Sequence, residues 1–281
     1  MRHTMMRPLA FAAALCALAA SVHAQTLDRL AETGELRIGV RADAAPLSHL
    51  RDGKPAGYTV AVCERLAERL AARLGRELTL RAVEVDATNR FDAVAEGRID
   101  LLCGAASETI SRRATVDFSI PVFIDGATVI MRRDGITDFK GLAGARIGVR
   151  AGTTTETGLR ATLAKLGMEA EVVTLNDHGD GLTDLLGGVV RAYFADQSIL
   201  MGLLAGSERR SELAISSDIL TIEPQALALP LGDHAFRAAV DSELSHMYRS
   251  GEVAKIFEAS FAPNAMGDAM KALTLTAPIP D

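Results

Sequence analysis

Short apolar runs alternate with amphipathic helical stretches along almost the whole chain, and this alternation restricts the fold more than any other feature. Strands are expected at 35–40, 78–85, 99–103, 127–132, 145–149, 170–175, 190–195 and 226–231. Helices are expected at 60–74, 91–96, 154–166, 181–186, 197–204 and 234–250; in the first, Val60, Leu66, Leu70 and Leu74 share a face. The strand candidates are rich in β-branched residues and leucine without strict period-two alternation, which suits strands buried on both faces. Strand and helix in turn is the pattern of an α/β fold with mostly parallel strands.

One hexapeptide occurs twice. Arg37-Ile38-Gly39-Val40-Arg41-Ala42 returns letter for letter as Arg146-Ile147-Gly148-Val149-Arg150-Ala151. Either this is an easy strand-end sequence, or two similarly built α/β lobes open with the same strand-to-loop transition. On the second reading Arg41 and Arg150 stand at loop mouths beyond the carboxyl ends of strands, where ligands of such sheets bind. Pro121 and Pro224 lie in extended-looking segments, where proline disfavours helix. They mark two crossings, with a first lobe of 25–121 and 224–281 and a second of 122–223.

The N-terminus reads as a secretory leader. Arg2 and Arg7 precede an apolar run from Leu9 to Ala20, and Val22-His23-Ala24 offers the small-x-small pattern of a cleavage site after Ala24. No later run approaches the ~20 apolar residues of a membrane helix, so an exported, periplasmic chain starting at Gln25 is expected. Without Arg2 and Arg7, 28 basic residues face 36 acidic ones, a formal net charge of −8. That balance argues against nucleic acid or an anionic membrane as partner, since both require a basic surface. Cys63 and Cys103 remain; export permits a disulfide, and two buried thiols are the alternative. Their spacing suits neither a metal site nor thiol catalysis, and no cofactor is expected.

Several strand-to-loop transitions carry polar groups suited to a small charged ligand. Ser107 reads as the N-cap of a helix-like segment, with Arg112 reaching back to the same mouth. Free N–H groups, a hydroxyl and a guanidinium fork together suit a carboxylate; a capped surface helix with solvated arginines is the alternative. In the second half, Gly152-Thr153-Thr154-Thr155-Glu156 has capping-box spacing and makes a polar lip. His178, in Asn176-Asp177-His178-Gly179-Asp180-Gly181, matches neither an EF-hand loop nor a zinc histidine pair, and reads as a hydrogen-bond donor or a capped loop residue. Asp196 places a carboxylate where a strand exits, as a ligand group or a helix N-cap. No G-x-S-x-G, H-E-x-x-H, Walker-type or G-x-G-x-x-G motif occurs.

Taken in order, these pieces resemble the periplasmic amino-acid-binding proteins of ABC importers, the family 3 solute-binding proteins. The likeness runs through Gly34-Glu35-Leu36-Arg37-Ile38-Gly39-Val40, Ala45-Pro46-Leu47-Ser48, Gly57-Tyr58 and Phe91-Asp92-Ala93-Val94. It continues in Arg98-Ile99-Asp100, Arg112, Asp117-Phe118-Ser119, Asp138-Phe139-Lys140-Gly141-Leu142, Gly152-Thr153-Thr154 and the stretch from Ser250 to Phe257. The resemblance implies the type II periplasmic binding protein fold, two α/β lobes with two hinge crossings that close on a ligand. It implies a monomer that hands an amino acid to the membrane subunits of an importer, and no enzyme. By resemblance Arg112 holds the α-carboxylate, assisted by Ser107, Thr154 and Thr155, and Asp196 accepts from the α-ammonium.

The positions where many relatives carry an aromatic clamp are Ala44 and Ala87. Arg41, Arg90 and His178 stand near instead, a set similar to the glutamate/aspartate-binding branch. Arg150 departs from that branch. The alternatives are a cyclohexadienyl dehydratase-like enzyme on the same scaffold, or a free binding protein that presents its ligand to a separate sensor.

Overall fold

The computed structural model describes residues 26–135 and 140–280. The leader, its cleavage position, and Asp138 and Phe139 of the second-lobe motif lie outside the described residues. No helix among the described residues is long and apolar enough to cross a membrane.

Numbered along the chain, β1 (Glu35–Val40), β5 (Thr79–Glu84), β6 (Leu101–Leu102), β7 (Val116–Asp125) and β13 (Glu223–Pro230) form one sheet, in the order β5-β1-β6-β13-β7. A second sheet takes β8 (Ala127–Arg132), β9 (Arg146–Arg150), β10 (Glu171–Leu175), β11 (Ala192–Asp196) and β12 (Leu213–Ile215), in the order β10-β9-β11-β8-β12. β2 (Asp43–Ala44), β3 (Ser48–Arg51) and β4 (Lys54–Ala56) make a small antiparallel sheet. Helices α1 (Thr26–Thr33), α2 (Tyr58–Leu74), α3 (Arg90–Ala95), α7 (His234–Arg249), α8 (Glu252–Phe261) and α9 (Asp268–Thr276) belong with the first sheet. Helices α4 (Thr154–Leu166), α5 (His178–Leu186) and α6 (Gln197–Gly206) pack on the second.

Each sheet is mixed rather than mostly parallel. β5, β1 and β6 run parallel, and β13 and β7 add antiparallel pairings; β10, β9 and β11 run parallel, and β8 and β12 close the other side antiparallel. The repeated hexapeptide occupies the same place in both sheets, β1 and β9 each lying between two parallel neighbours. Its glycine has the same use twice. A Cβ on Gly39 would lie 2.4 Å from Ile99 Cδ1, and one on Gly148 would lie 3.0 Å from Tyr193 Cδ2, so both strands rely on the missing side chain for close packing.

β7 is a full strand where the sequence marks only an extended segment around Pro121, and the proline lies inside it. Proline cannot donate to a ladder and is tolerated at irregularities. The β7–β13 register shifts around Ala226, the partner of Pro121, and the Pro121 carbonyl accepts from the Tyr248 hydroxyl at 2.7 Å. The neighbouring Val122 carbonyl accepts from Tyr58 Oη at 2.7 Å, and the Tyr58 ring sits among Phe123, Phe257 and Phe261. The chain therefore changes sheets at Gly126, where a Cβ would meet the Thr221 carbonyl at 2.1 Å as the two crossings run side by side. The 99–103 expectation shrinks to β6, and α1, α8, α9, β7, β12 and the small sheet are additions.

Cys63 of α2 and Cys103, just after β6, are joined in a disulfide, which decides between the two alternatives the sequence left open.

Asp125 ends β7 at the crossing. Its carboxyl accepts from Gly126 N at 2.9 Å, from Ser198 N at 3.3 Å and from the Ser198 hydroxyl. Burial, with the Asp196 carboxylate adding to it, raises its pKa to about 7, while those hydrogen bonds oppose the rise. The folded state thus keeps a proton that the unfolded chain has released, so stability is full below the ordinary carboxylate pKa and is lost as pH rises toward about 7. Asp125→Asn keeps the shape and the acceptor oxygen without the titration. Its melting temperature is expected to fall less between about pH 5 and about pH 7 than that of the wild type, the remaining slope belonging to Asp196, whose pKa is also raised. Parallel declines in a pH series of thermal melts would rule out Asp125 as the source.

Candidate functional site

All ten site residues singled out in the sequence line one cleft between the two sheets, with Ala105, Ala195 and Ile199 beside them. Arg41 follows β1, Arg150 ends β9 and Asp196 ends β11; Arg90 and His178 open α3 and α5. These places lie at the carboxyl ends of parallel strands, where open α/β sheets present their ligand loops. The lobes are in contact here: Thr154 Oγ1 lies 3.5 Å from Ser107 Oγ, and Arg90 Nη2 donates to the Gly152 carbonyl at 3.4 Å. Gly152 has φ of 73°, and a Cβ on it would lie 2.9 Å from the Ala87 carbonyl, so glycine meets both the backbone and the closure requirement.

The four arginines divide into two kinds. Arg41 and Arg150 share Asp43: Arg41 Nε donates to Oδ1 at 2.9 Å and Arg150 Nε to Oδ2 at 3.0 Å. Arg41 Nη2 lies 2.7 Å from Oδ1, at an angle unsuited to a hydrogen bond. Arg90 and Arg112 have no carboxylate partner among the described residues. Arg90 Nη1 donates to the Ala87 carbonyl, Arg112 Nη1 donates to the Ser107 carbonyl at 2.6 Å, and Arg90 Nε is buried without a partner among the described residues. Both guanidiniums stand 4.6 Å from the Phe91 ring centre, an arrangement that supports a cation without neutralising it. Desolvation, followed by the charges of Arg41 and Arg112, pushes the Arg90 pKa well down. Desolvation also lowers that of Arg112. An anion between these two would relieve both.

The anionic side is built on Asp196, which accepts from Thr155 Oγ1 at 3.2 Å and from Gln225 Nε2 at 3.0 Å. Burial first, and Glu223 second, raise its pKa. Glu223 accepts from Thr154 Oγ1 at 2.6 Å and from Thr221 Oγ1 at 2.7 Å. Asp196 makes no side-chain cap on α6, which leaves its carboxylate to the cleft.

His178 Nδ1 pairs with Tyr193 Oη at 2.8 Å, and its Nε2 is buried without a partner among the described residues. Burial, with Arg41 next, drives its pKa down to about 3, so it is a neutral hydrogen-bonding group. Tyr193 reaches it because Gly181 has no side chain; a Cβ there would lie 2.2 Å from the ring. The loop reading of His178 is corrected to the first residue of α5, capped by Asp177, which accepts from Gly179 N.

Two local expectations change. Ser107 caps no helix; it forms a bridge with Gln225, and only a three-residue 3-10 turn, Arg112–Ala114, follows. Glu108 N is taken by the Pro224 carbonyl at 3.0 Å, so that N–H is engaged by the crossing strand rather than free at a helix start. Half of the capping box at Thr153 holds: Thr153 Oγ1 accepts from Glu156 N at 3.1 Å, while the Glu156 carboxylate accepts from Gly152 N at 3.0 Å, one residue before the cap. Asp43, Phe91, Tyr193, Glu223 and Gln225 shape the site and were not singled out beforehand. Asp43, two residues after a strand-end arginine, was the signal within reach.

The chain matches the bacterial extracellular solute-binding proteins, family 3, over residues 36–263. It is 30% identical over 240 residues to an L-glutamate/L-aspartate-binding protein of Pseudomonas aeruginosa, covering 84% of this chain and 80% of that protein. It is 26% identical over 246 residues to a glutamate/aspartate import solute-binding protein of Escherichia coli, covering 86% and 82%. Among solved structures it resembles the ancestral amino acid-binding protein AncCDT-1, a precursor of cyclohexadienyl dehydratase, with a TM-score of 0.73 and 24% identity over 85% of this chain and all of that one. At that identity the likeness carries the fold alone. With two mixed α/β sheets, two crossings between them and a polar cleft at their strand ends, this chain belongs to family 3 of the bacterial extracellular solute-binding proteins.

Proposed function

We propose that this protein captures an acidic amino acid, glutamate or aspartate, between its lobes and delivers it to the membrane subunits of an ABC importer. The observation that carries the reading is the charge balance of the cleft. Arg41, Arg90, Arg112 and Arg150 face Asp43, Asp196 and Glu223, which leaves one cation in excess, and a zwitterion with a second carboxylate carries one net negative charge. Arg112, with the Ser107 hydroxyl and the backbone N–H groups of Thr154 and Thr155 in the first turn of α4, receives the α-carboxylate. Asp196 receives the α-ammonium, since a buried ammonium requires an anionic acceptor. Arg90, Arg41 and the neutral His178 meet the distal carboxylate, which desolvation makes costly without cations. Two glutamate/aspartate-binding relatives of similar extent support the same ligand class.

Binding rather than turnover is favoured by the state of the carboxylates. Asp43 is ion-paired, while Asp196 and Glu223 accept hydrogen bonds from neighbouring side chains, so none stands as a free acid. The leader-like N-terminus supports action outside the cytoplasm, by a monomer whose lobe surfaces stay free for closure.

The test is a thermal-shift screen of amino acids and dicarboxylates on protein freed of carried-over ligand by unfolding and refolding. Glutamate or aspartate at about 100 times its dissociation constant adds about 2.7 kcal/mol, a rise of several degrees. A shift only with neutral or non-amino ligands would keep the fold and end the acidic assignment.

A further inference from the structure

Asp43 lies in β2, two residues beyond Arg41, and its carboxylate serves one arginine from each lobe. Arg41 belongs to the first sheet and Arg150 to the second, so the contact with Arg150 bridges the cleft over a sequence separation of 107. Arg41 is 2% and Arg150 3% exposed, so each requires compensation where it stands. His178 lies beside them uncharged and offers none. Arg90 and Arg112 differ: they rest against Phe91 with no carboxylate partner among the described residues, open to an anion from outside.

We propose that Asp43 is a specificity-determining residue, a built-in carboxylate that neutralises one of the two charges Arg41 and Arg150 bring and thereby holds the ligand to one net negative charge. It occupies, between one arginine of each lobe, the place a further ligand carboxylate would take. A ligand with an additional carboxylate on its distal end meets Asp43 in competition for the same two cations, which is discrimination by repulsion. The inference rests on the acidic amino-acid reading of the cleft and adds to it an upper limit on ligand charge.

Calorimetry with glutamate and with γ-carboxyglutamate, which differ by one carboxylate on the distal carbon, tests it in the wild type, Asp43→Ala and Asp43→Asn. The wild type is expected to prefer glutamate. In Asp43→Ala the ratio of the two dissociation constants is expected to move by about tenfold or more toward γ-carboxyglutamate, whose extra carboxylate enters the space the side chain leaves. Asp43→Asn removes the charge without making room and is expected to move the ratio less, in the same direction. An unchanged ratio in folded Asp43→Ala overturns the assignment. If the wild type binds neither ligand, the acidic amino-acid reading has failed, and Asp43 is judged with acetate, the free counterpart of the deleted group. Acetate is then expected to raise the melting temperature of Asp43→Ala more than that of the wild type, and the gain to vanish in Asp43→Ala/Arg150→Met. Equal shifts in all three overturn the proposal.

Discussion

Arg112→Ala is expected to weaken glutamate binding by about 100- to 1,000-fold, because the α-carboxylate would remain buried opposite the Ser107 hydroxyl and the first turn of α4 without its cation. Little of that loss should come from the fold. Arg112 has no carboxylate partner among the described residues, and desolvation already lowers its pKa, so the ligand-free variant should melt close to the wild type. Arg112→Lys restores charge but loses the planar fork and the stacking on Phe91, and is expected to recover only part of the affinity. Arg90→Ala separates the two carboxylates: it should weaken glutamate more than glutamine, since it removes a partner of the distal group alone. Isothermal titration with both ligands checks all three variants. An Arg112→Ala protein that binds glutamate within a few-fold of the wild type would sink the α-carboxylate role.

The Cys63→Ser/Cys103→Ser double variant should lose about 4 kcal/mol of stability, the closure entropy of the loop spanned by a bridge between residues 40 apart. For a chain of this size that corresponds to a fall of about 10 °C in melting temperature. The bridge ties α2 to Cys103 at the end of β6, two residues before Ala105 and four before Ser107 of the cleft. Affinity should nevertheless change little, because the same segment is also held by the Ser107–Gln225 bridge and by Glu108 N on the Pro224 carbonyl. Thermal melts of the double variant, and of the wild type with and without reductant, measure the effect. A fall of less than about 1 kcal/mol would mean that the unfolded chain gains little freedom when the bridge is absent.

The positions of Arg41, Arg150 and Asp196 were legible because a strand that runs into a loop can be read from a few neighbouring residues. Thr153 with Glu156 was legible for the same reason, being one turn of backbone hydrogen bonding. Ser107 misled by that logic. Its local pattern is that of an N-cap, yet its segment pairs with Gln225, a residue over a hundred positions away. Pro121 did not mislead: its segment is extended as expected, and a remote register shift at Ala226 and the hydroxyl of Tyr248 let it stand within a long strand. The charge of the cleft was readable as an accumulation of arginines, but its balance was not, because Asp43 and Glu223 count only once the lobes are placed.

By itself the sequence determined the alternation of strand and helix, the two similar strand ends bearing Arg41 and Arg150, the Thr153 cap of α4 and the family likeness, all products of short-range periodicity and backbone chemistry. The tertiary structure alone decided that Asp43 meets Arg150, that Glu223 takes Thr154, that Cys63 joins Cys103, and that Phe91 lies against both Arg90 and Arg112. Except for Arg90 and Phe91, which are adjacent, those partners stand far apart along the chain. Which buried charge is neutralised by which depends on how two sheets lie against each other, a matter of packing that no local stretch of residues encodes.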